Sequence, residues 1–160
     1  MTFVAKKSLG QNFLNDKKVI KIIADLGKID RDDFILEVGA GTGNLTEIIL
    51  EQSPKKLFVI EKDQRLASYL NEKFGDKINI FNEDMMKFEY ERYYEDRLII
   101  FGNLPYNIST QILAKWIRVK NLDSFCKKFI LMFQKEVADR IIAETNTKNY
   151  GRLSILSNWK

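Results

Sequence analysis

A proline, a tyrosine and an asparagine directly follow an apolar run in the stretch FGNLPYN, residues 101–107. Pro105 stiffens the turn and keeps the backbone before it extended, so that Asn103 offers a fixed amide oxygen and Leu104 a fixed carbonyl. Tyr106 adds a flat surface on which a ring can stack. Two acceptors facing the N–H bonds of an exocyclic amine favour a pyramidal nitrogen that can attack an electrophile. The stretch therefore predicts a site for a ring-bound amino group, with a plain Pro-Tyr turn as the alternative.

A second group of candidate residues follows the predicted strand FILEV. Gly39, Gly41 and Gly43 in EVGAGTG allow positive φ angles and close approach of the backbone to a ligand at a helix N-terminus. Their spacing is not that of a dinucleotide fingerprint, so the loop indicates a nucleotide-like ligand without defining which one. Glu61 lies 22 positions beyond Gly39 and is placed to accept from both ribose hydroxyls.

Two further residues, in the stretch NEDMMKF, could complete a nucleoside site. Asp84 can accept from an adenine amino group, and Met85 can pack on the ring. An ordinary acidic loop is an equally good interpretation of this stretch alone.

The composition limits the kinds of catalysis and metal binding that the chain can perform. The chain has 160 residues, no histidine and one cysteine, Cys126, which excludes histidine-based catalysis, an intrachain disulfide and nearly every zinc site. For the same reason we expect no metal. The single cysteine suits a cytoplasmic protein, and no stretch reads as a signal peptide or a membrane span. Six lysines against two aspartates in residues 1–28 suggest a polyanionic partner or a solubilising surface.

The elements that would position these residues alternate between strand and helix. Strands are predicted at 34–38, 57–61, 78–82, 97–101 and 128–133, and helices at 15–26, 43–52, 63–74, 109–119, 134–144 and in the tail. In the first helix we expect a cap at Asn15, Gly27 just beyond its end, and an apolar face formed by Val19, Ile20, Ile22, Ile23 and Leu26. The pattern predicts an α/β fold with a parallel sheet covered by helices on both faces, and such sheets bind ligands beyond the carboxyl ends of their strands.

Together these motifs resemble a known family. EVGAGTG with VIEKD and NEDM resembles the Rossmann-like class I S-adenosylmethionine-dependent methyltransferases, and GNLPYNIS resembles their amino-methylating branch. The stretches KKSLGQNFL and LMFQKEVADRI, with YGRLSIL, resemble the ribosomal RNA adenine dimethyltransferases of the small subunit. The resemblance runs along essentially the whole chain.

The resemblance implies a reaction and a role for each motif. S-adenosyl-L-methionine would be covered by Asn12 and Leu14 and contacted by Gly39, Glu61, Asp84 and Asn103, while Asn103, Leu104, Pro105 and Tyr106 would form the catalytic loop. Two methyl groups would pass in succession to N6 of each of two adjacent adenosines in a hairpin of small-subunit rRNA. The partner would be an immature small subunit, with no membrane, and we expect a monomer. Lys6, Lys7, Lys17 and Lys18 flank the QNFL motif and become candidates for phosphate contact.

The resemblance also predicts what the chain lacks. Family members continue with two more strands and a helical RNA-binding domain, so residues 1–160 are expected to be the N-terminal cofactor-binding methyltransferase domain. The fifth strand would then be an unprotected edge. We expect such a piece to bind cofactor yet to methylate weakly or not at all.

Two other functions stay open at this point. The chain could be a binding module that recognises immature small subunits during assembly, although a pure binder would not need both the cofactor motifs and Asn103 to Tyr106. It could also be a DNA or protein amide methyltransferase, which uses a similar Pro-Tyr motif.

Overall fold

The computed structural model describes residues 3–6, 9–89 and 97–158. Five parallel strands form one sheet in the order β3-β2-β1-β4-β5. They are β1 Phe34–Val38, β2 Lys56–Ile60, β3 Asn79–Phe81, β4 Leu98–Asn103 and β5 Cys126–Met132. The helices are α1 Lys17–Gly27, α2 Asn44–Glu51, α3 Gln64–Phe74, α4 Ser109–Ile117, α5 Leu122–Phe125, α6 Lys135–Ile141 and α7 Arg152–Asn158. The predicted α/β sheet is confirmed, and α5 is a short helix that the sequence did not predict.

Alternate residues of each strand enter two separate apolar layers, which buries the sheet on both faces. On one face, Ile35, Val59 and Ile99 pack with residues of α1, α2 and α3. On the other, Leu36, Ile60 and Ile100 pack with residues of α4 and the loops around it. Trp116 of α4 is fully buried and stacks on Phe129 with ring centroids 5.1 Å apart, as a core residue rather than a platform for a base.

Helix α1 departs from its predicted details. Its N-cap is Asp16, whose carboxylate accepts from the Lys18 and Val19 amides, whereas Asn15 accepts from the Asn44 side chain. Gly27 is the last helical residue, and a Cβ there would lie 2.6 Å from the Phe101 ring. The glycine is therefore required by packing against β4.

The predicted apolar face of α1 is only partly correct. Ile20 and Ile23 are buried with Ala24, whereas Val19, Ile22 and Leu26 are exposed. The apolar residues of α1 thus form two stripes, and the sheet covers one of them.

Strand β5 is an edge of the described sheet, and its lysines bind neighbouring elements. Lys127 Nζ lies 2.7 Å from the buried carboxylate of Asp33, which precedes β1. Lys128 Nζ donates to the carbonyls of Leu26 and Gly27 at 3.2 and 3.1 Å and so caps α1. These two charges therefore stabilise the fold. No described helix is long and apolar enough to cross a membrane.

Candidate functional site

One cavity opens beyond the carboxyl ends of the first four strands. Nine of the predicted site residues line it: Asn12, Leu14, Gly39, Gly41, Glu61, Asp84, Met85, Asn103 and Pro105. Gly43, Leu104 and Tyr106 are not part of the lining. The parallel topology produces this convergence, because β1 is flanked by β2 and β4, and their ends meet at one edge of the sheet.

The glycine loop has the backbone that its composition predicts. Gly39, Gly41 and Gly43 have φ angles of 73°, 59° and 78°, which other residues rarely adopt. A Cβ at Gly39 would lie 3.2 Å from the Asn103 carbonyl oxygen, so this glycine lets β1 and β4 approach within the site. Gly43 has a different task as the N-cap of α2, since a Cβ there would lie 2.7 Å from the side chains of Leu70 and Phe74.

Glu61 is a buried carboxylate that immediately follows β2. Its two oxygens accept from the Gly41 amide at 3.0 Å and the Asp63 amide at 2.9 Å. Burial raises the pKa of Glu61 above its usual value, against the lowering effect of these amides. Each carboxylate oxygen retains acceptor capacity for a ligand hydroxyl, which suits the predicted contact with a ribose.

Asp84 is held by Lys62, a residue that is not among the predicted site residues. Its Oδ2 lies 2.8 Å from Lys62 Nζ, and its Oδ1 accepts from the Met86 amide at 2.9 Å. The hydrogen bond from Lys62 lowers the pKa of Asp84, so the carboxylate is an acceptor. Met85 beside it is buried in the core and lines the cavity.

Glu37 of β1 is a further titratable residue in the cavity wall. It is buried and accepts a hydrogen bond of 2.7 Å from the Thr46 hydroxyl. Burial raises its pKa to about 7, and the charge of Glu61 adds to the shift. The sequence indicates this residue as part of the site, because Glu37 stands inside an apolar strand that a glycine loop follows.

The N-terminal strap, comprising Lys6 and residues 9–14, lies across the cavity and is fastened at three places. Near β4, the Asn12 carbonyl accepts from Asn103 Nδ2 at 2.8 Å, and the Asn12 side chain donates to the Tyr106 hydroxyl. At the glycine loop, Asn44 Nδ2 donates to the Leu14 carbonyl at 2.8 Å.

The third fastening is at Asp63, the N-cap of α3, which accepts from Gln11 Nε2 at 3.2 Å and pairs with Lys6 Nζ at 3.3 Å. Hydrogen bonds from Arg65 first, and then from Gln11 and Lys6, lower the pKa of Asp63 well below its usual range.

Gly10 sets how closely the strap packs on the motif of residues 101–107. Its φ is 63°, and a Cβ would lie 2.5 Å from Asn107 Oδ1 and 3.3 Å from Pro105 Cβ. The strap and the motif therefore form one wall of the cavity.

The motif continues β4 rather than following it, because Asn103 is the last strand residue. Since the Asn103 amide nitrogen donates to the strap, the amide oxygen is the end of this side chain that can accept from a ligand. The Leu104 side chain is buried in the core, which fixes the backbone next to Pro105. Tyr106 as a whole residue is 41% exposed.

The predicted phosphate-binding lysines are dispersed. Lys6 faces the Asp63 carboxylate, whereas Lys17 and Lys18 are exposed in the first turn of α1 and do not line the cavity. Lys7 lies outside the described residues.

The cavity suits S-adenosylmethionine in the chemistry of its donors and acceptors. The glycines, which lack side chains, expose backbone at the N-terminus of α2. Glu61 offers acceptors for hydroxyls, and Asp84 offers an acceptor for an amino group. Within residues 3–6, 9–89 and 97–158, no three side chains form a potential metal site.

The fold matches a known structural class. A parallel sheet of this kind, with helices on both faces, is the Rossmann-like fold of the S-adenosylmethionine-dependent methyltransferases. One solved example, an S-adenosylmethionine-dependent methyltransferase from Clostridium acetobutylicum, superposes with a TM-score of 0.57 at 21% identity, covering 81% of this chain and 54% of its own.

Sequence comparison narrows the class to a family. The pattern of the ribosomal RNA adenine dimethylases matches residues 2–159, and the chain belongs to this family. It is 54% identical over 156 residues to the ribosomal RNA small subunit methyltransferase A of Pelagibacter ubique (strain HTCC1062), covering 98% of this chain and 59% of that relative. The crystal structure of a dimethyladenosine transferase from Plasmodium falciparum matches with a TM-score of 0.79 and 31% identity, over 91% of this chain and 51% of that one. The chain thus spans a little over half the length of these relatives, and the resemblance found in its motifs is confirmed.

Proposed function

We propose that this chain is the cofactor-binding part of an enzyme that dimethylates N6 of two adjacent adenosines in a hairpin of small-subunit rRNA, with S-adenosyl-L-methionine as methyl donor. The observation that carries the proposal is the hydrogen-bonded connection from Asn103 through Asn12 to Tyr106. This connection holds the candidate base-binding residues against the strap that covers the candidate cofactor site. Membership of the ribosomal RNA adenine dimethylase family supports it independently.

Separate parts of the cavity would hold separate parts of the cofactor. In the proposal Gly39 and Gly41 accommodate its methionine and ribose, Glu61 accepts from the ribose hydroxyls, and Asp84 accepts from the adenine amine. Asn12 and Leu14 cover it from the strap, and Met85 packs on the adenine. When bound, the cofactor supplies an electrophilic methyl group on its sulfonium sulfur.

The residues of β4 would prepare the target nitrogen. The Asn103 amide oxygen and the Leu104 carbonyl accept from the two N–H bonds of adenine N6, which directs the nitrogen lone pair towards the methyl donor. Pro105 keeps this backbone extended, and the Tyr106 ring stacks on the base and fixes its plane. The nitrogen becomes acidic as it gains a methyl group, so these residues need to orient the amine rather than remove a proton from it first.

The RNA would reach the site as splayed bases. An adenine must leave its stack to enter the cavity, and unpaired hairpin bases leave most easily. In the proposal Lys6, Lys7, Lys17 and Lys18 contact phosphates, with Lys17 and Lys18 the better candidates because Lys6 already pairs with Asp63. The partner is an immature small subunit, met by a monomer in the cytoplasm. The present 160 residues are proposed to bind cofactor but to transfer methyl groups weakly or not at all.

Methyl transfer by the full-length protein to undermethylated small subunits tests the proposal. Asn103→Ala should lower kcat by about 100-fold or more, because an oriented group at a reacting centre stabilises the transition state by several kcal/mol. Tyr106→Phe should keep most activity and Tyr106→Ala should not, since the ring provides the stacking surface. Asn121→Ala, an exposed substitution, is the matched control.

Calorimetry with S-adenosylmethionine separates binding from catalysis. A folded wild-type protein that gives no binding heat would contradict the assignment of the cavity. Undiminished transfer by Asn103→Ala would contradict the catalytic role of the motif, even if the cofactor binds.

A further inference from the structure

Asp63 lies just behind the cavity and contacts both the N-terminal strap and the carboxylate assigned to the ribose. Only 4% of the residue is exposed. A buried carboxylate must have its oxygens satisfied by donors, and here the donors come from two parts of the chain that are distant in sequence.

One side of Asp63 faces the ribose-binding position. Its backbone amide donates to Glu61 Oε1 at 2.9 Å, while Glu61 Oε2 accepts from the Gly41 amide. The orientation of the Glu61 carboxylate is therefore set by two backbone amides, that of Gly41 in the glycine loop and that of Asp63, the N-cap of α3.

The other side of Asp63 faces the strap. Its Oδ2 accepts from Gln11 Nε2 at 3.2 Å and pairs with Lys6 at 3.3 Å. The same carboxylate is fixed by Arg65, whose Nη2 donates at 2.7 Å and whose Nε donates at 3.1 Å. These bonds from Arg65 fix the orientation of the Asp63 carboxylate. That orientation determines where the Gln11 side chain can bind.

The other two fastenings of the strap lead elsewhere. Asn12 is bound to Asn103 and Tyr106 in the motif at β4, and Leu14 is bound by Asn44 next to the glycine loop. The contact with Asp63 is thus the fastening that connects the strap with the amide bound to Glu61.

We propose that Asp63 is a positioning residue that locks the strap over the ribose end of the cofactor and couples strap closure to the orientation of Glu61. This inference rests on the proposed function. Without the Asp63 carboxylate, Gln11 and Lys6 lose their docking point, residues 9–11 lift from the cavity, and the cofactor dissociates faster. The target-base site keeps its own strap contact at Asn12, so the chemical step is unaffected.

Two substitutions isolate the coupling. Asp63→Ser retains a helix cap but is too short to reach the strap. Gln11→Leu removes the donor from the strap, together with the acceptor of the Lys6 amide, without touching α3. Each variant should weaken binding of S-adenosylhomocysteine by about tenfold in calorimetry, as expected for loss of a hydrogen bond to a charged group. The double variant should bind no more weakly than Asp63→Ser alone, because that substitution already removes the contact with Gln11.

Kinetics of the full-length protein give a readout that a purely structural role would not change. KM for S-adenosylmethionine should rise in each variant while kcat stays within twofold. Lys73→Met, which removes the exposed pair between Lys73 of α3 and Glu47 of α2, is the control and should leave both constants unchanged.

The outcomes separate the inference from the proposed function. If the wild-type protein binds cofactor but the two substitutions weaken binding additively, or not at all, the inference is overturned and the proposed function stands. Because Gln11→Leu lies in the strap, it tests the coupling even if Asp63→Ser lowers the stability of α3. A folded wild-type protein that binds no cofactor overturns both.

Discussion

The buried carboxylate of Glu37 should make the stability of the protein fall as the pH rises through neutrality. Burial first, and then the charge of Glu61, raise its pKa from 4.5 to about 7 against the opposing hydrogen bond from Thr46. The unfolded chain releases this proton near pH 4.5, whereas the folded chain keeps it until about pH 7. The stabilising contribution of the proton is therefore fully present below pH 4.5 and is lost as the pH rises through 7.

The magnitude follows from the shift. At about 1.4 kcal/mol for each pH unit between the two pKa values, the whole contribution is about 3 kcal/mol. Most of it, roughly 2 to 3 kcal/mol, should disappear between about pH 5 and pH 8. Glu37→Gln keeps the shape of the side chain and an acceptor for Thr46 but cannot ionise, so it should remove this part of the pH dependence.

Urea denaturation of wild-type and Glu37→Gln protein at about pH 5, 6, 7 and 8 measures the effect. As the pH rises, the free energy of unfolding should fall more in the wild type than in the variant. Glu51→Gln, on the exposed end of α2, is the control and should follow the wild-type curve. Parallel wild-type and Glu37→Gln curves would refute the assignment of a proton to Glu37 in the folded state.

Three other expectations test the packing around the site. Gly43→Ala should lower the free energy of unfolding by about 2 to 4 kcal/mol in urea titrations, because a Cβ would meet Leu70 and Phe74 at 2.7 Å from a backbone with φ of 78°; an unchanged midpoint would contradict this. Lys127→Met should lower the free energy of unfolding by about 1 kcal/mol at neutral pH, a modest loss because the lysine is 43% exposed. The loss should be smaller in acid once Asp33 is protonated, and a pH-independent loss would count against the pairing. The Cys126 thiol, whose pKa burial raises to about 12, should react with a colorimetric disulfide reagent only after denaturation, and rapid labelling of folded protein would show that it is not buried.

The order of strands and helices was predictable because each element carries its own periodicity. Ile35, Leu36 and Val38 in β1 and the strand residues that pair with them are apolar on both faces, as parallel strands covered by helices require. The candidate site followed from the same pattern, since the residues after the strands must meet at one edge. Gly39, Gly41, Glu61 and Asp84 do line one cavity, although their binding roles stay predictions.

What the sequence did not reveal depends on contacts between distant residues. Helical spacing cannot distinguish Ile20, which is buried in the apolar layer on this face of the sheet, from Ile22, which is exposed, because the direction of α1 is set by its packing on α2 and β5. Asp63 reads as an ordinary helix cap, and its contact with Gln11 spans 52 positions. Lys127 and Lys128 read as surface charge, yet their partners are a buried aspartate and the carbonyl end of α1.

The fastenings of the N-terminal strap also determine when it can dock during folding. Its partners Asn44, Asp63, Asn103 and Tyr106 lie 30, 52, 91 and 94 positions later in the chain than the strap residues that they bind. Closing such long loops carries an entropic cost that local contacts do not, so the strap can settle only after β1, β2 and β4 have paired. The strap precedes β1 in the chain but is thus among the last of the described segments to be fixed, and the candidate cofactor site stays open to solvent until β4 has joined the sheet.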